Sequence, residues 1–313
     1  MFLKRSALSS KAGIKFRQAV QNVLLAVLVL GFLALAPVVV IQLRERSGNA
    51  ERREIQAMFE AGQFESAYAA SRYMLTSRPL DFFLLAVNGF AAYQVGISQM
   101  NRHDTLSYIN SSIWSLRKAM LLREGTGDGR IYYVLGKAYY HKGPAHADLA
   151  VFYLERALAS GFMASDIPEY LGLAHASLND FRGSVNAFAL ALSDESRSPS
   201  DVLLLSIARS YLRLGEMEQA EYFLNRCLEV SRDSRTRIAA GLLRGYIFNQ
   251  AGEIDRAYAE FLRIIDEDGE DAEVIYQIGA LYAAMGDITR ARAEWRRALR
   301  VDPTHSQARN RLL

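Results

Sequence analysis

The sequence of 313 residues predicts an all-α protein in which one membrane-spanning helix precedes a solenoid of helical hairpins. Two observations support this prediction. Residues 23–41 form a run of nineteen amino acids without a single charged or polar side chain. Beyond residue 48, glycine or asparagine returns at near-regular intervals between segments with helical spacing of apolar residues. A repeated glycine-punctuated helical pattern is typical of a stack of hairpins.

The apolar run is long enough to cross a bilayer. At about 1.5 Å per residue it makes a helix of roughly 28 Å, close to the ~30 Å hydrocarbon core. A cleavable signal peptide is the alternative, because Ala34-Leu35-Ala36 has the small-x-small form of a cleavage site. However, Pro37 would directly follow the cut, and the run continues to Ile41. We therefore predict a retained anchor over residues 19–43.

The charges beside the anchor predict its orientation. Residues 1–18 carry five lysines and arginines and no acidic residue. A short, wholly basic tail is usually the cytoplasmic end of such an anchor. We therefore expect a single-pass protein of the bacterial inner membrane. Residues 1–18 would lie in the cytoplasm and the large domain in the periplasm.

The body of the chain carries turn residues and small residues in a common register. The expected turn residues, which must tolerate positive φ, stand 34 to 47 residues apart. They are Gly62, Gly96, Gly143, Asn179, Gly215, Gly252 and Gly286. Small residues recur in the first helix of each unit, where two helices must approach closely. They are Gly89, Gly136, Gly172, Ala208, Gly245 and Gly279. Large residues are expected to fill the space between neighbouring units, namely Leu154, Phe188, Leu224, Phe261 and Trp295.

Two segments show the full pattern. Tyr132-x2-Leu135-Gly136-x2-Tyr139 and Ile275-x2-Ile278-Gly279-x2-Tyr282 are each followed by Ala-x3-large, at Ala150 and Ala291. This pattern resembles the tetratricopeptide repeat. The resemblance implies a right-handed superhelical solenoid over residues 48–305, with about seven repeats and a truncated capping helix at 306–313. The expected repeats are 48–81, 82–128, 129–164, 165–200, 201–237, 238–271 and 272–305.

Charge and motif content exclude several classes of function. Of the net charge of +3, five positive charges lie in residues 1–43, so the remaining 270 residues carry a net −2. A nearly neutral body argues against nucleic acid as a partner, since phosphate binding needs a concentrated basic face. The glycine cluster at 125–129 lacks the spacing of a phosphate-binding loop. No pair of metal ligands has a suitable spacing. We predict a non-enzymatic protein without cofactor or metal.

The family resemblance also implies where a partner binds. In such arrays the first helices line a concave groove that holds a peptide or helix of another protein. The repeat register places ten residues there: Phe90, Tyr93, Tyr133, Lys137, Tyr140, Arg209, Arg213, Tyr246, Asn249 and Tyr276. Together they predict a groove with aromatic patches and a basic middle, suited to a segment with apolar anchors and some acid.

Two functions fit these expectations. The first is a membrane-anchored scaffold or adaptor in an envelope assembly, of the kind that similarly built proteins serve in secretion, cytochrome maturation, cell-wall synthesis or the flagellar collar. The alternative is a chaperone-like holder of newly exported proteins at the membrane. A scaffold would have one or two stoichiometric partners, and a holder many substoichiometric ones. Self-association through the last helix also stays open.

Overall fold

The structure, a computed structural model, describes residues 49–122, 128–193 and 198–313, which fold into helices without a strand. The helices α1 to α7 cover residues 49–60, Phe64–Leu75, Phe82–Ile97, Arg102–Leu122, Gly129–Lys142, Ala147–Ala159 and Ile167–Ser177. The helices α8 to α15 cover Phe181–Leu192, Asp201–Leu214, Met217–Val230, Ser234–Gln250, Ile254–Asp268, Ala272–Ala284, Ile288–Val301 and Ser306–Leu312. A 3-10 turn, Pro144–His146, joins α5 to α6.

Successive helices pack as hairpins that stack into an all-α solenoid. The pairs run from α1–α2 to α13–α14, and α15 packs on α14. The first helices of neighbouring pairs also contact one another, from α3–α5 to α11–α13. These first helices therefore line one side, here called the inner face. The second helices, α2 to α14, form the outer face. Each hairpin buries its apolar side against the next, as expected of a repeat array.

The turns between paired helices use the residues that tolerate positive φ. Six of the seven expected turn residues have φ between 61° and 128°, and Asn179 is the only non-glycine among the described residues to do so. The assignment of Gly96 as the seventh is wrong. Gly96 lies within α3, and the turn follows at residues 98–101. The extra residues of the second unit extend α3 and α4 to 16 and 21 residues, which moves the turn along the chain.

Glycine permits the close approach of the two helices in a hairpin. A Cβ added to Gly136 would lie 2.6 Å from Cγ of Leu154, and one added to Gly279 would lie 2.6 Å from Cδ1 of Trp295. In each pair the glycine and the large residue belong to the same hairpin, α5–α6 for the first pair and α13–α14 for the second. The large side chains therefore cover the glycine of their own unit. They also pack against the next hairpin, as Phe261 does against Val274 and Ile278, so the expectation that they fill the space between units is confirmed.

One expected repeat boundary differs from the structure. The boundary after residue 237 falls inside α11, which starts at Ser234. The reason is local, because the Asp233 carboxylate caps the helix by accepting a hydrogen bond from the backbone N–H of Thr236 at 2.9 Å. Such caps satisfy backbone donors that have no partner within the helix.

The predicted tail over residues 1–18 and the predicted anchor over 19–43 lie outside the described residues. Most of the glycine cluster at 125–129 also falls in a gap, since residues 123–127 are not described. Of the helices within 49–122, 128–193 and 198–313, none combines the length and apolar character needed to span a bilayer.

Candidate protein-binding groove

The inner face contains a cavity of about 500 Å³ between α5 and α11. We call it the central groove. Its apolar lining comes from successive first helices. The residues that define it are Tyr140, Leu173, Ala176, Arg209, Leu212, Arg213 and Leu243. Phe181, from the start of α8, closes one side. The groove thus spans the third to sixth units and includes three of the ten residues expected at the binding surface.

Two lining residues that the sequence analysis omitted follow the same register. Leu173 and Ala176 lie one and four residues after Gly172, as Lys137 and Tyr140 do after Gly136. The repeat register identifies both positions, although neither aliphatic side chain has the aromatic ring or the polar group of the ten expected residues. Phe181 belongs to a second helix, and no repeat pattern would have placed it in the groove.

Two arginines give the central groove its positive charge. Arg209 and Arg213 lie one turn apart on α9, and both are exposed. Neither forms an ion pair with any residue that the structure describes. The Arg213 guanidinium carbon lies 4.8 Å from the centroid of the Phe181 ring. Like charges at this spacing disfavour a helix by a few tenths of a kcal/mol, ~0.2–0.5. The pair therefore leaves a concentrated positive charge beside an apolar cavity.

Lys137, expected to supply the basic middle of the groove, is instead neutralised within the protein. Its Nζ lies 2.7 Å from Oδ2 of Asp166, which stands just before α7, and donates to the hydroxyl of Tyr133 at 2.9 Å. The Tyr133 hydroxyl donates to the same carboxylate at 2.8 Å. Three tyrosine rings surround the ammonium, with centroids 4.7 to 5.6 Å from Nζ, namely Tyr93, Tyr133 and Tyr170. The cluster binds α3, α5 and α7 together and leaves little positive charge for a ligand.

Burial sets the protonation of the groups around this cluster. Desolvation, reinforced by the neighbouring Tyr170, raises the pKa of Tyr93 far above its usual range. Desolvation also raises the pKa of Tyr170 to about 12. At His141, whose Nε2 lies 3.2 Å from the Tyr170 hydroxyl, burial and then the charge of Lys137 lower the pKa. At neutral pH these rings are therefore uncharged, and the cluster holds only the Lys137–Asp166 pair as charges.

The other expected binding residues are distributed along the inner side. Tyr93 and Tyr276 are buried, at 2% and 9% exposure, so they pack in the core. Tyr276 lies against Trp295 and His305. Phe90 is partly buried near Phe59. Tyr133 is held by Asp166, while Tyr246 and Asn249 on α11 do not line the central groove. Binding of a partner by any of the ten stays a prediction.

Two features of the described residues bear on chemistry: the grouping of possible metal ligands and the environment of the cysteine. In residues 49–122, 128–193 and 198–313 no cluster of His, Cys, Asp and Glu could hold a metal ion. Cys227, the one cysteine of the chain, is buried, and its Sγ donates to the backbone carbonyl of Asp201 at 3.3 Å. Burial, with Asp201 nearby, raises the pKa of this thiol to about 11. The thiolate that would react is therefore scarce at neutral pH.

These features define an α-helical repeat protein with a cavity on its inner face. Residues 203–234 and 272–305 match the family model of the tetratricopeptide repeat. The described part of the chain has the fold of a tetratricopeptide-like solenoid. Such repeats form scaffolds for protein–protein interaction through their concave surfaces.

Solved structures share this fold. One is the C-terminal part of a tetratricopeptide repeat-containing protein from Cytophaga hutchinsonii, with a TM-score of 0.60 and 14% identity over 84% of this chain and 99% of that one. A tetratricopeptide repeat protein from Parabacteroides merdae has a TM-score of 0.51 and 16% identity over 84% and 96%. Identities this low show a common fold alone. No curated protein matches the sequence.

Proposed function

We propose that this chain is a membrane-anchored scaffold whose central groove binds an acidic, partly apolar segment of a partner protein. The observation that carries the proposal is the pair of exposed arginines, Arg209 and Arg213, beside the apolar side chains of Leu173, Leu212 and Leu243. A carboxylate of the segment would pair with the guanidinium groups, and an apolar side chain would enter the cavity. Arginine and tyrosine are among the residues that dominate binding energy at interfaces.

The dimensions of the groove suit a segment of a protein. A cavity of about 500 Å³ holds several side chains at once. Its lining comes from four successive units, so an extended or helical segment would contact several helices together. That arrangement supports recognition through a few side-chain anchors laid into a preformed groove. The Lys137–Asp166 cluster lies beside Tyr140 and fixes the groove wall without competing for the acid of the ligand.

Membrane anchorage is supported by the sequence. The apolar run over residues 23–41 ends only a few residues before α1, which is present from residue 49. The basic tail over residues 1–18 supports a cytoplasmic N-terminus and a periplasmic array. The scaffold would thus serve an envelope assembly, held close to the membrane surface.

Crosslinking in the membrane followed by mass spectrometry tests the groove. The full-length chain is compared with the variant Arg209→Glu/Arg213→Glu. Reversing charges that pair with a partner's acid typically costs about 2–5 kcal/mol, which lowers occupancy more than about tenfold. We expect one dominant partner with the wild type and its loss with the variant.

The matched control for this experiment is Arg296→Glu/Arg300→Glu. It makes the same change at two exposed arginines one turn apart on α14, far from the groove, and should keep the partner. Recovery of the same partner with Arg209→Glu/Arg213→Glu would show that the groove does not bind it. Capture of many exported proteins at low stoichiometry would favour the holder function.

Labelling of introduced cysteines tests the orientation. Cys227 is buried with a raised pKa, so the native chain should stay unlabelled and serve as the control. We expect a membrane-impermeant maleimide, applied to cells with a permeabilised outer membrane, to label Gln307→Cys in the exposed last helix. Ser6→Cys in the tail should be labelled only after the inner membrane is opened. The reverse pattern would place the array in the cytoplasm.

A further inference from the structure

The outer face carries three pairs of an exposed aromatic side chain and a cation. Each aromatic lies two residues before the large side chain of its second helix, and each cation lies four residues after the aromatic. We call this set the outer ridge; its pairs are Trp114–Lys118 on α4, Phe152–Arg156 on α6 and Tyr222–Arg226 on α10. Because the three pairs occupy the same register position on second helices, they all lie on the outer face.

In each pair of the outer ridge the cation lies over the aromatic ring, and the ring is exposed to solvent. Nζ of Lys118 lies 4.1 Å from the ring centroid of Trp114. The guanidinium carbon of Arg156 lies 5.4 Å from the ring centroid of Phe152. That of Arg226 lies 5.8 Å from the ring centroid of Tyr222. The aromatic residues are 57%, 46% and 57% exposed. Three large aromatics exposed at one register position are unusual on a surface that meets only water.

The remaining units lack the ridge aromatic. At its position the first, fourth, sixth and seventh units have Ala69, Asn186, Ala259 and Ala293. The fourth unit instead exposes Leu190, at 64%, in the place of the cation, and this leucine lies between the ridge pairs of α6 and α10. The ridge is therefore a local feature of the second to fifth units rather than a requirement of the repeat.

We infer that the outer ridge docks on the surface of an anionic phospholipid bilayer. Aromatic rings with one polar edge favour the headgroup level of a membrane, and lysine and arginine beside them reach lipid phosphates. The three rings differ in shape, and only Trp114 and Tyr222 have a polar edge, but each ring lies beside a cation. A bilayer surface requires that shared chemistry, whereas a folded protein partner would require a shape matched to each ring.

The short stretch of chain before α1 also supports a bilayer as the surface that the outer ridge contacts. This inference rests on the proposed anchorage by residues 19–43. Residues 42–48 separate the apolar run from the first described helix, and even fully extended they span at most about 25 Å. The second and third units follow directly in the stack, so α4 and α6 stay within reach of the bilayer. Docking through the outer face would leave the central groove open toward the periplasm.

Tryptophan fluorescence in the full-length protein tests the inference. The chain has two tryptophans. Trp295 is buried, and its Nε1 has no hydrogen-bond partner among the described residues. Trp295→Phe therefore removes the fluorescence of the second tryptophan without breaking a hydrogen bond. This variant is placed in nanodiscs of anionic lipid, with or without bromine on the acyl chains. We expect brominated lipid to quench most of the Trp114 emission.

Two variants make the measurement specific. Trp114→Phe/Trp295→Phe/Ala293→Trp moves the only tryptophan to the same register position on α14, where emission should be independent of bromine. Lys118→Gln/Arg156→Gln/Arg226→Gln, made on Trp295→Phe, should lower the ratio of docked to free protein about fivefold for each cation removed. High salt should also lower the ratio of docked to free protein when the three cations are present.

Two results would overturn the inference. Trp114 that is open to aqueous iodide and insensitive to brominated lipid would show a ridge facing water. Trp114 shielded from both quenchers would show that a protein or a second copy covers it. Alkaline extraction of the same membranes reports anchorage separately. If the chain is extracted, its binding to anionic vesicles at low and high salt tests docking of the ridge without the anchor. Salt-sensitive binding would support docking, and absence of binding would refute it.

Discussion

Replacement of Phe261 by alanine is expected to lower the free energy of unfolding by about 3–5 kcal/mol, the usual cost of deleting a buried phenylalanine. Phe261 on α12 is 2% exposed. Its ring covers Gly245 of α11 so closely that any Cβ there would overlap it. The same ring belongs to a cluster that includes Val274 and Ile278 of the next hairpin. The cavity would therefore weaken both the sixth hairpin and its stacking on the seventh.

Urea unfolding followed by circular dichroism measures this loss. The matched control is Leu262→Ala, the neighbouring position on α12, which is 37% exposed and should cost less because the leucine already meets water. Gly245→Val tests the same contact from the other side. Overpacking of this kind costs about 1–3 kcal/mol, although the substitution also removes a flexible residue from a helix. Equal urea-unfolding midpoints for Phe261→Ala and Leu262→Ala would contradict the burial of Phe261 in the core.

The double variant Arg244→Ala/Arg263→Ala is expected to have an effect of similar size, about 3–5 kcal/mol at neutral pH. Glu260 on α12 is buried, with its side chain 4% exposed. Its carboxylate accepts hydrogen bonds from Arg244 on α11 and, at 2.8 Å, from Arg263. Removal of both arginines would leave a buried charge without a partner. A buried carboxylate is tolerated only when it is paired or protonated.

The contribution of Glu260 to the free energy of unfolding should change with pH in the opposite direction in this variant. In the wild type burial alone would raise the pKa of Glu260, but the hydrogen bonds from Arg263 and Arg244 outweigh it and lower the pKa. The carboxylate therefore contributes stability above the unfolded pKa of about 4.3, and this contribution is lost as the pH falls through the folded pKa. In the double variant burial would raise the folded pKa above 4.3, about its unfolded value. Its destabilisation would then fade as the pH falls.

Urea unfolding between neutral pH and about pH 4 follows this difference. We expect the gap in stability between wild type and double variant to narrow steadily with falling pH. Glu260→Gln is the control, because the amide cannot titrate and both pH effects should disappear. Arg292→Ala/Arg296→Ala removes two exposed arginines of α14 and should leave the profile unchanged. A gap that stays constant with pH would mean that Glu260 is not the group left unpaired.

The sequence alone determined the hairpin architecture, because its signals act over short distances. A glycine at the end of a helix permits the positive φ of a tight turn, as Gly215 does with φ of 78°. Gly136 and Leu154 meet across one hairpin, so their spacing in the chain predicts that they share a unit. Gly96 failed as a turn because an insertion lengthened both helices, and no local signal distinguishes a turn glycine from one under a close helix contact.

The chemistry of both faces was decided by the tertiary structure. The repeat register places a side chain on the inner face, but its exposure depends on the side chains that neighbouring units bring beside it. Tyr93 and Lys137 occupy such positions, yet Tyr93 is buried and Lys137 is neutralised by Asp166, 29 residues further along. Arg209 and Arg213 occupy the same face and meet no acid among the described residues. Charge pairing and burial are properties of three-dimensional neighbours, and a single sequence does not specify the rotamers and distances on which they depend.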